Sequence, residues 1–214
     1  MKSTIARLGM ALGLCALVPA AQALEGADAA RGKEASATCM ACHQLDGSGL
    51  NNAGAESWPR LAGQNAEYLY RQLLSFKDSS RTNASMLPFV NMLDDQQMRD
   101  VAAYYASLPV TAPKEHAEVG EDVLKHGEQL ATRGDWDRYI PPCATCHGTD
   151  QRGIGSAFPA LAGQHPNYIA QQLHAWQRAT RHNDPDQLMA TIAARMNAQD
   201  IDAVAAWLAR QPAQ

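Results

Sequence analysis

The chain has 214 residues, 46% hydrophobic and 6% aromatic, with 18 basic against 22 acidic side chains and a formal charge of −4. That length suits one large domain or two small ones with modest cores. The acidic balance excludes a polyanion-binding role, so no nucleic-acid partner is expected. At the start, Lys2 and Arg7 flank the head of an apolar run from Leu8 to Ala20, and Ala21-Gln22-Ala23 follows as a small-x-small pattern. Residues 1–23 therefore read as a secretory signal cut after Ala23, which places the mature protein in the periplasm. The run is shorter than the ~20 apolar residues a membrane span needs. Cys15 lies inside it, without the flanking pattern of a lipid-attachment cysteine. Losing Lys2, Arg7 and Cys15 leaves 16 basic and 22 acidic residues, a charge of −6, and four cysteines.

Further along, residues 27–38 read as a helix leading into Cys39-Met40-Ala41-Cys42-His43. A Gly- and Asn-rich segment, 47–57, precedes Trp58-Pro59-Arg60-Leu61-Ala62-Gly63-Gln64. Residues 66–77 place Leu69, Leu73 and Phe76 near helical spacing, and 94–108 open with acidic residues and carry Met98, Val101, Tyr105 and Leu108 on one stripe. Leu108 to Val119, with Pro109 and Pro113, reads as a linker. After it the same elements return: Cys143-Ala144-Thr145-Cys146-His147, Phe158-Pro159-Ala160-Leu161-Ala162-Gly163-Gln164, and helices over 167–178 and 198–210. The offset between copies is 100 through Tyr68/Tyr168, Gln72/Gln172, Arg81/Arg181 and Asn83/Asn183, then 103 through Val101/Val204. Gly32 and Gly127 also correspond, which puts a nine-residue insertion in the second copy around 135–142. The division is 1–23 signal, 24–110 first domain, 111–119 linker and 120–214 second domain. Residues 24–113 carry seven basic and ten acidic side chains and residues 114–214 nine and twelve, so each half is −3.

The two C-x-x-C-H motifs carry the chemistry. The spacing lets two thiols add to the vinyl groups on one edge of a haem while the next residue places its imidazole under the iron. A disulfide across two intervening residues would close a tiny loop and leave the histidine unexplained. A thioredoxin-like pair needs a βαβ context, and a zinc ribbon needs its cysteine pairs close together, whereas about a hundred residues separate Cys42 from Cys143. Two covalently bound haem c groups are expected, on Cys39 and Cys42 and on Cys143 and Cys146, with His43 and His147 as proximal ligands. For the opposite faces, Met86 and Met189 alone among the methionines coincide in the repeat, 43 and 42 residues after their histidines. The other readings are that both are core residues and a histidine completes the iron. His165, His174 and His182 have no histidine counterpart in the first copy.

With these paired motifs, paired Pro-x-Leu-Ala-Gly-Gln segments and paired methionines, the chain after residue 23 resembles the two-haem cytochrome c4 family. The resemblance implies an all-α fold of two tandem cytochrome c domains related by a pseudo-twofold. It also implies electron transfer from donors such as a quinol-oxidising complex to a terminal oxidase. By position it implies that the Pro59 and Pro159 carbonyls orient His43 and His147. It further implies that Gly32 and Gly127 let first and last helices cross closely, at Tyr104 or Tyr105 and at Trp207. Arg81, Arg181, Tyr68 and Tyr168 are candidates for haem propionate contacts.

A soluble electron carrier, not an enzyme, is the expected class. A dihaem redox enzyme of the peroxidase or thiosulfate-oxidising kind needs an open or unusually ligated iron, and here both copies offer a methionine and no cysteine is spare. A haem subunit of a membrane dehydrogenase, and loose association with a membrane surface, stay open on these residues.

Overall fold

The computed structural model describes residues 24–111 and 117–213. The signal segment and its cleavage site lie outside the described residues, as does the centre of the linker. The described residues form helices joined by turns and isolated bridges, the all-α fold expected. The first copy contains α1 (Ala29–Ala35), α2 (Met40–His43), α3 (Ala66–Lys77), α4 (Leu87–Asn91) and α5 (Asp95–Ser107). The second contains α6 (Glu121–Thr132), α7 (Ala144–His147), α8 (Pro166–Gln177), α9 (Leu188–Ala193) and α10 (Ala198–Ala209) in the same order.

Helix ends follow local chemistry. The Asp28 carboxylate accepts from the Ala30 and Arg31 amides at the head of α1. Asp94 with Gln97 and Asn197 with Asp200 form reciprocal capping boxes that start α5 and α10. Periodicity fixes α3 at its expected bounds. The first expected helix is shorter than 27–38, because Ser36 caps α1 and the chain turns into the cysteine motif.

First and last helices of each copy cross at a glycine. A Cβ on Gly32 would lie 1.9 Å from the Asp100 carbonyl oxygen and 2.9 Å from Tyr104 Cβ. One on Gly127 would lie 2.1 Å from the Ala203 oxygen and 2.8 Å from Trp207 Cβ. Backbone meets backbone there, so no side chain fits, and Tyr104 rather than Tyr105 is the residue at the first crossing. Leu69, Val101, Ala102, Tyr104 and Tyr105 form the core beside it. In the second copy Leu130, Ile140, Ile169, Leu173, Ile201, Val204 and Leu208 do so.

A buried aspartate locks each crossing, from different positions in the repeat. Asp100, opposite Ala203, accepts from the Asp28 amide at 2.7 Å, Arg31 at 2.7 and 3.0 Å and Gln96 at 2.9 Å. Asp200, opposite Gln97, accepts from Arg138 at 2.6 and 3.1 Å and from the Asn197 amide at 2.8 Å, and lies 2.7 Å from His126 Nε2. Arg138 belongs to the nine-residue insertion, which closes on itself through paired Asp135 and Ile140 backbones and buries Ile140. The insertion thus delivers a cation to α10.

These partners hold the Asp200 carboxyl down at about 2 despite its burial. Its stabilising contribution is therefore complete above the ordinary carboxylate range, near pH 4, and disappears as pH falls through 2. Asp200→Asn is expected to cost the second domain about 3 kcal/mol at neutral pH, read by denaturant unfolding. The gap between variant and parent should close between pH 4 and 2.

Candidate functional site

Each cysteine motif forms a single helical turn, with the His43 and His147 amides bonded back to the Cys39 and Cys143 carbonyls at 2.9 Å. That turn brings two thiols and an imidazole to one face. The rings are buried, 5% and 6% exposed. His43 Nδ1 lies 3.0 Å from the Pro59 carbonyl oxygen and His147 Nδ1 2.8 Å from that of Pro159. Each Nδ1–H donates to the proline, which leaves Nε2 to bind a metal. Burial lowers both imidazole pKa values, partly opposed by the carbonyls, and favours the neutral ring that ligates iron. Tyr105 packs edge-on to His43 and Phe158 to His147, with ring centroids 6.4 and 6.0 Å apart.

One continuous cavity of about 740 Å³ runs through both copies. Cys39, Cys42, His43 and Met86 line it from the first, and Cys143, Cys146, His147 and Met189 from the second. No disulfide joins these cysteines. Burial raises the Cys39 thiol pKa and pushes that of Cys143 up to about 11, unlike the activated thiolate of a redox dithiol. Met86 and Met189 sit where α4 and α9 begin, half-buried against the cores. The Met86 amide donates to the Asn83 side chain at 2.8 Å. Met98 is buried away from the cavity and Met92 is exposed, whereas Met196 also lines the cavity but is 7% exposed within the core. Free thiols, ring nitrogens and thioethers around an apolar cavity in each copy are a donor set that suits a thioether-linked haem.

The copies meet across a seam that the repeat disclosed only as equivalent positions. Gln164 accepts from the Arg60 amide and donates to its carbonyl, both at 2.9 Å. Gln64 does the same to Ala160, at 3.1 and 2.7 Å. Each glutamine side chain thus mimics a strand edge for the opposite copy. Farther along, Arg81 and Arg181 pair as an antiparallel bridge, with the Thr82 amide on the Thr180 oxygen and the His182 amide on the Ser80 oxygen, both at 2.8 Å. Arg81 donates to Tyr168 at 2.7 Å and Gln172 at 2.9 Å, and Arg181 to Tyr68 at 3.3 Å and Gln72 at 3.1 Å. The arginines stack on Phe76 and Trp176 of their own copies. Both are buried, and each also bonds within its own copy, Arg81 to Gln72 at 3.1 Å and Arg181 to Gln172 and Asn183 at 3.0 Å. The 47–57 segment also crosses: Asn167 and Gln171 of α8 bond to the backbones of Asn52, Ala55 and Ser57.

These features define a c-type cytochrome built twice. The chain matches the Cytochrome c family over residues 29–109 and again over 124–211, and it belongs to that family. It is 36% identical to the cytochrome c4 of Pseudomonas aeruginosa over 97% of this chain and 98% of that one. It is 43% identical to a thiosulfate dehydrogenase electron acceptor of Thiomonas intermedia, covering 82% of this chain and 79% of the relative. Among solved structures, reduced cytochrome c4 from Pseudomonas stutzeri superposes with a TM-score of 0.78 at 32% identity, over 87% of this chain and all of that one. Within the cytochrome c family, the chain is a member of the two-haem cytochrome c4 group, with two covalently attached haem c groups and the role of an electron carrier.

Replacing Gln164 by Leu strips two bonds from the buried Arg60 backbone and should cost about 3 kcal/mol. Amide exchange in the haem-loaded protein should accelerate at Arg60 and across the Thr82–Thr180 pairing, while exchange at the α6–α10 crossing stays as in the parent.

Proposed function

We propose that this protein is a periplasmic carrier whose two irons are each held between a histidine and a methionine, His43 with Met86 and His147 with Met189. The observation that carries the reading is that all four side chains, with the four thiols, line one cavity in matched sets. When bound, the haems supply one-electron redox chemistry at the iron. The chain's residues do the rest. The cysteines tether the macrocycles. The Pro59 and Pro159 carbonyls hold each ring in one tautomer and one orientation. The apolar cavity walls exclude water, and the thioethers close the face that an enzyme would leave open for substrate. The domain limits that go with this reading are 24–110 and 120–214, joined by 111–119.

The donor we favour is an exported thiosulfate dehydrogenase, on the strength of the Thiomonas intermedia relative's name and its 43% identity. The acceptor is a terminal oxidase. A quinol-oxidising complex, the donor implied by the resemblance to the cytochrome c4 family, is the other candidate. Among the described residues no helix is long and apolar enough to cross a membrane.

Two measurements test these statements. The weak far-red absorption of ferric methionine-ligated haem should be halved in Met86→Ala and in Met189→Ala and absent from the double variant, with the matching midpoint potential lowered each time. A full-strength band in either single variant removes that methionine from the iron. In stopped-flow mixing, the ferric protein should be reduced by thiosulfate only when thiosulfate dehydrogenase is present. Reduction by the quinol-oxidising complex alone would select that donor instead. Turnover of thiosulfate or peroxide by this protein unaided would overturn the carrier reading.

A further inference from the structure

The repeated Pro-x-Leu-Ala-Gly-Gln segment has one conspicuous mismatch: Arg60 in the first copy stands where the second has Ala160. Arg60 is 2% exposed. Its guanidinium donates to the Ala62 oxygen at 2.5 Å and to the Ala162 oxygen at 2.9 Å. Those acceptors are the same residue of the two copies, so the charge lies on the seam and belongs to neither domain alone. Its Nε has no hydrogen-bond partner, and the side chain lines the cavity shared by the proposed iron ligands. Among the described residues no carboxylate pairs with it, nor with Arg81 or Arg181 on the same seam. Burial draws the Arg60 pKa down to about 10, which leaves it protonated at neutral pH.

Burying a charged side chain is costly. Closing the seam does not require it: Ala160 receives the same two backbone bonds from Gln64 that Arg60 receives from Gln164. The charge is thus additional to the backbone bonds that close the seam, although its own bond to the Ala162 oxygen also crosses it. A ferric haem carries one more positive charge than a ferrous one, and a fixed cation in a poorly solvated cavity wall disfavours the ferric form.

We infer that Arg60 is a potential-setting residue, whose buried charge on the domain seam raises the reduction potentials of both haems. This rests on the two-haem carrier reading, and the test separates the two. Arg60→Met removes the charge at similar length, and Arg60→Lys keeps it. The parent and both variants are titrated potentiometrically with the haems loaded, and the far-red band is recorded for each.

In Arg60→Met the ferric-to-ferrous equilibrium of both haems should move toward ferric by about tenfold, the order expected when a unit charge is removed from a poorly solvated cavity wall. For a one-electron couple that is about 59 mV. Arg60→Lys should stay within about twofold of the parent. Arg60→Gln, which keeps donors for the two carbonyls, carries the same expectation as Arg60→Met should the latter fail to fold. Unchanged potentials in the neutral variants would overturn the inference, because the charge would then be cancelled by a haem carboxylate or by solvent. An equal fall in Arg60→Lys would also overturn it, by assigning the effect to hydrogen-bond geometry. A far-red band missing from the parent would instead sink the methionine assignment, and leave the difference between variants readable.

Discussion

The hydrogen bond from a buried imidazole to a proline carbonyl is the constraint on which the rest of this structure depends. It fixes which ring nitrogen faces the cavity, and it comes from a segment with a second task. From Pro59 to Gln64 the chain presents a carbonyl to His43, backbone groups of residue 60 to the other copy, and a glutamine that reaches across in return. Residues 159–164 repeat every one of these contacts. Gly63 and Gly163 turn the chain with φ of +69° and +65° and lie close against Val110 and Ala213, leaving no room for a side chain. Orientation of the two buried imidazoles and domain docking are therefore two outcomes of one short stretch of backbone.

On this matched frame the two copies reach the same mechanical ends with different residues. Asp100 and Asp200 both lock a first-to-last helix crossing, yet they sit at non-equivalent positions and recruit different cations, Arg31 on α1 and Arg138 on the insertion. The first copy extends its 47–57 loop onto α8, and the second closes its 135–142 insertion onto its own core. Symmetry is kept at the cysteines, histidines, methionines, prolines and glutamines that face the cavity or the seam, with Arg60 and the 47–57 loop the departures there. Equal formal charges on the two halves hide this, since totals carry no positions.

What was legible in the sequence follows from the range of the interactions. The cysteine motifs, the α3 boundaries, the glycine crossings and the pairing of Met86 with Met189 are local or periodic signals, and a repeat doubles each of them. The repeat also marked Gln64, Gln164, Tyr68, Arg81 and their partners as equivalent, but equivalence does not say what a residue touches. Both arginines line the cavity. Besides Gln72, Gln172 and Asn183 of their own copies, they reach a glutamine and a tyrosine of the opposite copy, at sequence separations of 87 residues or more. Arg60 breaks the repeat, so periodicity carries no signal for it, and only its burial on the seam shows that the departure is structural. Asp100 and Asp200 escaped for the same reason.

Coupling between the domains follows from the shared segment. Pro59 and Arg60 are consecutive, so a shift of the second domain that pulled on Arg60 through Gln164 would be passed within one peptide to the carbonyl that holds His43. The reciprocal path runs from Gln64 through Ala160 and Pro159 to His147. Ring orientation and hydrogen-bond strength at the non-ligating nitrogen tune the basicity of a metal-bound histidine. The physical link is thus a short chain of direct hydrogen bonds, not spatial intermediacy alone. Pressure on the seam by a docked partner would act on both buried histidines together, whereas pressure on an α1–α5 or α6–α10 crossing, locked by its own aspartate, would stay within one domain.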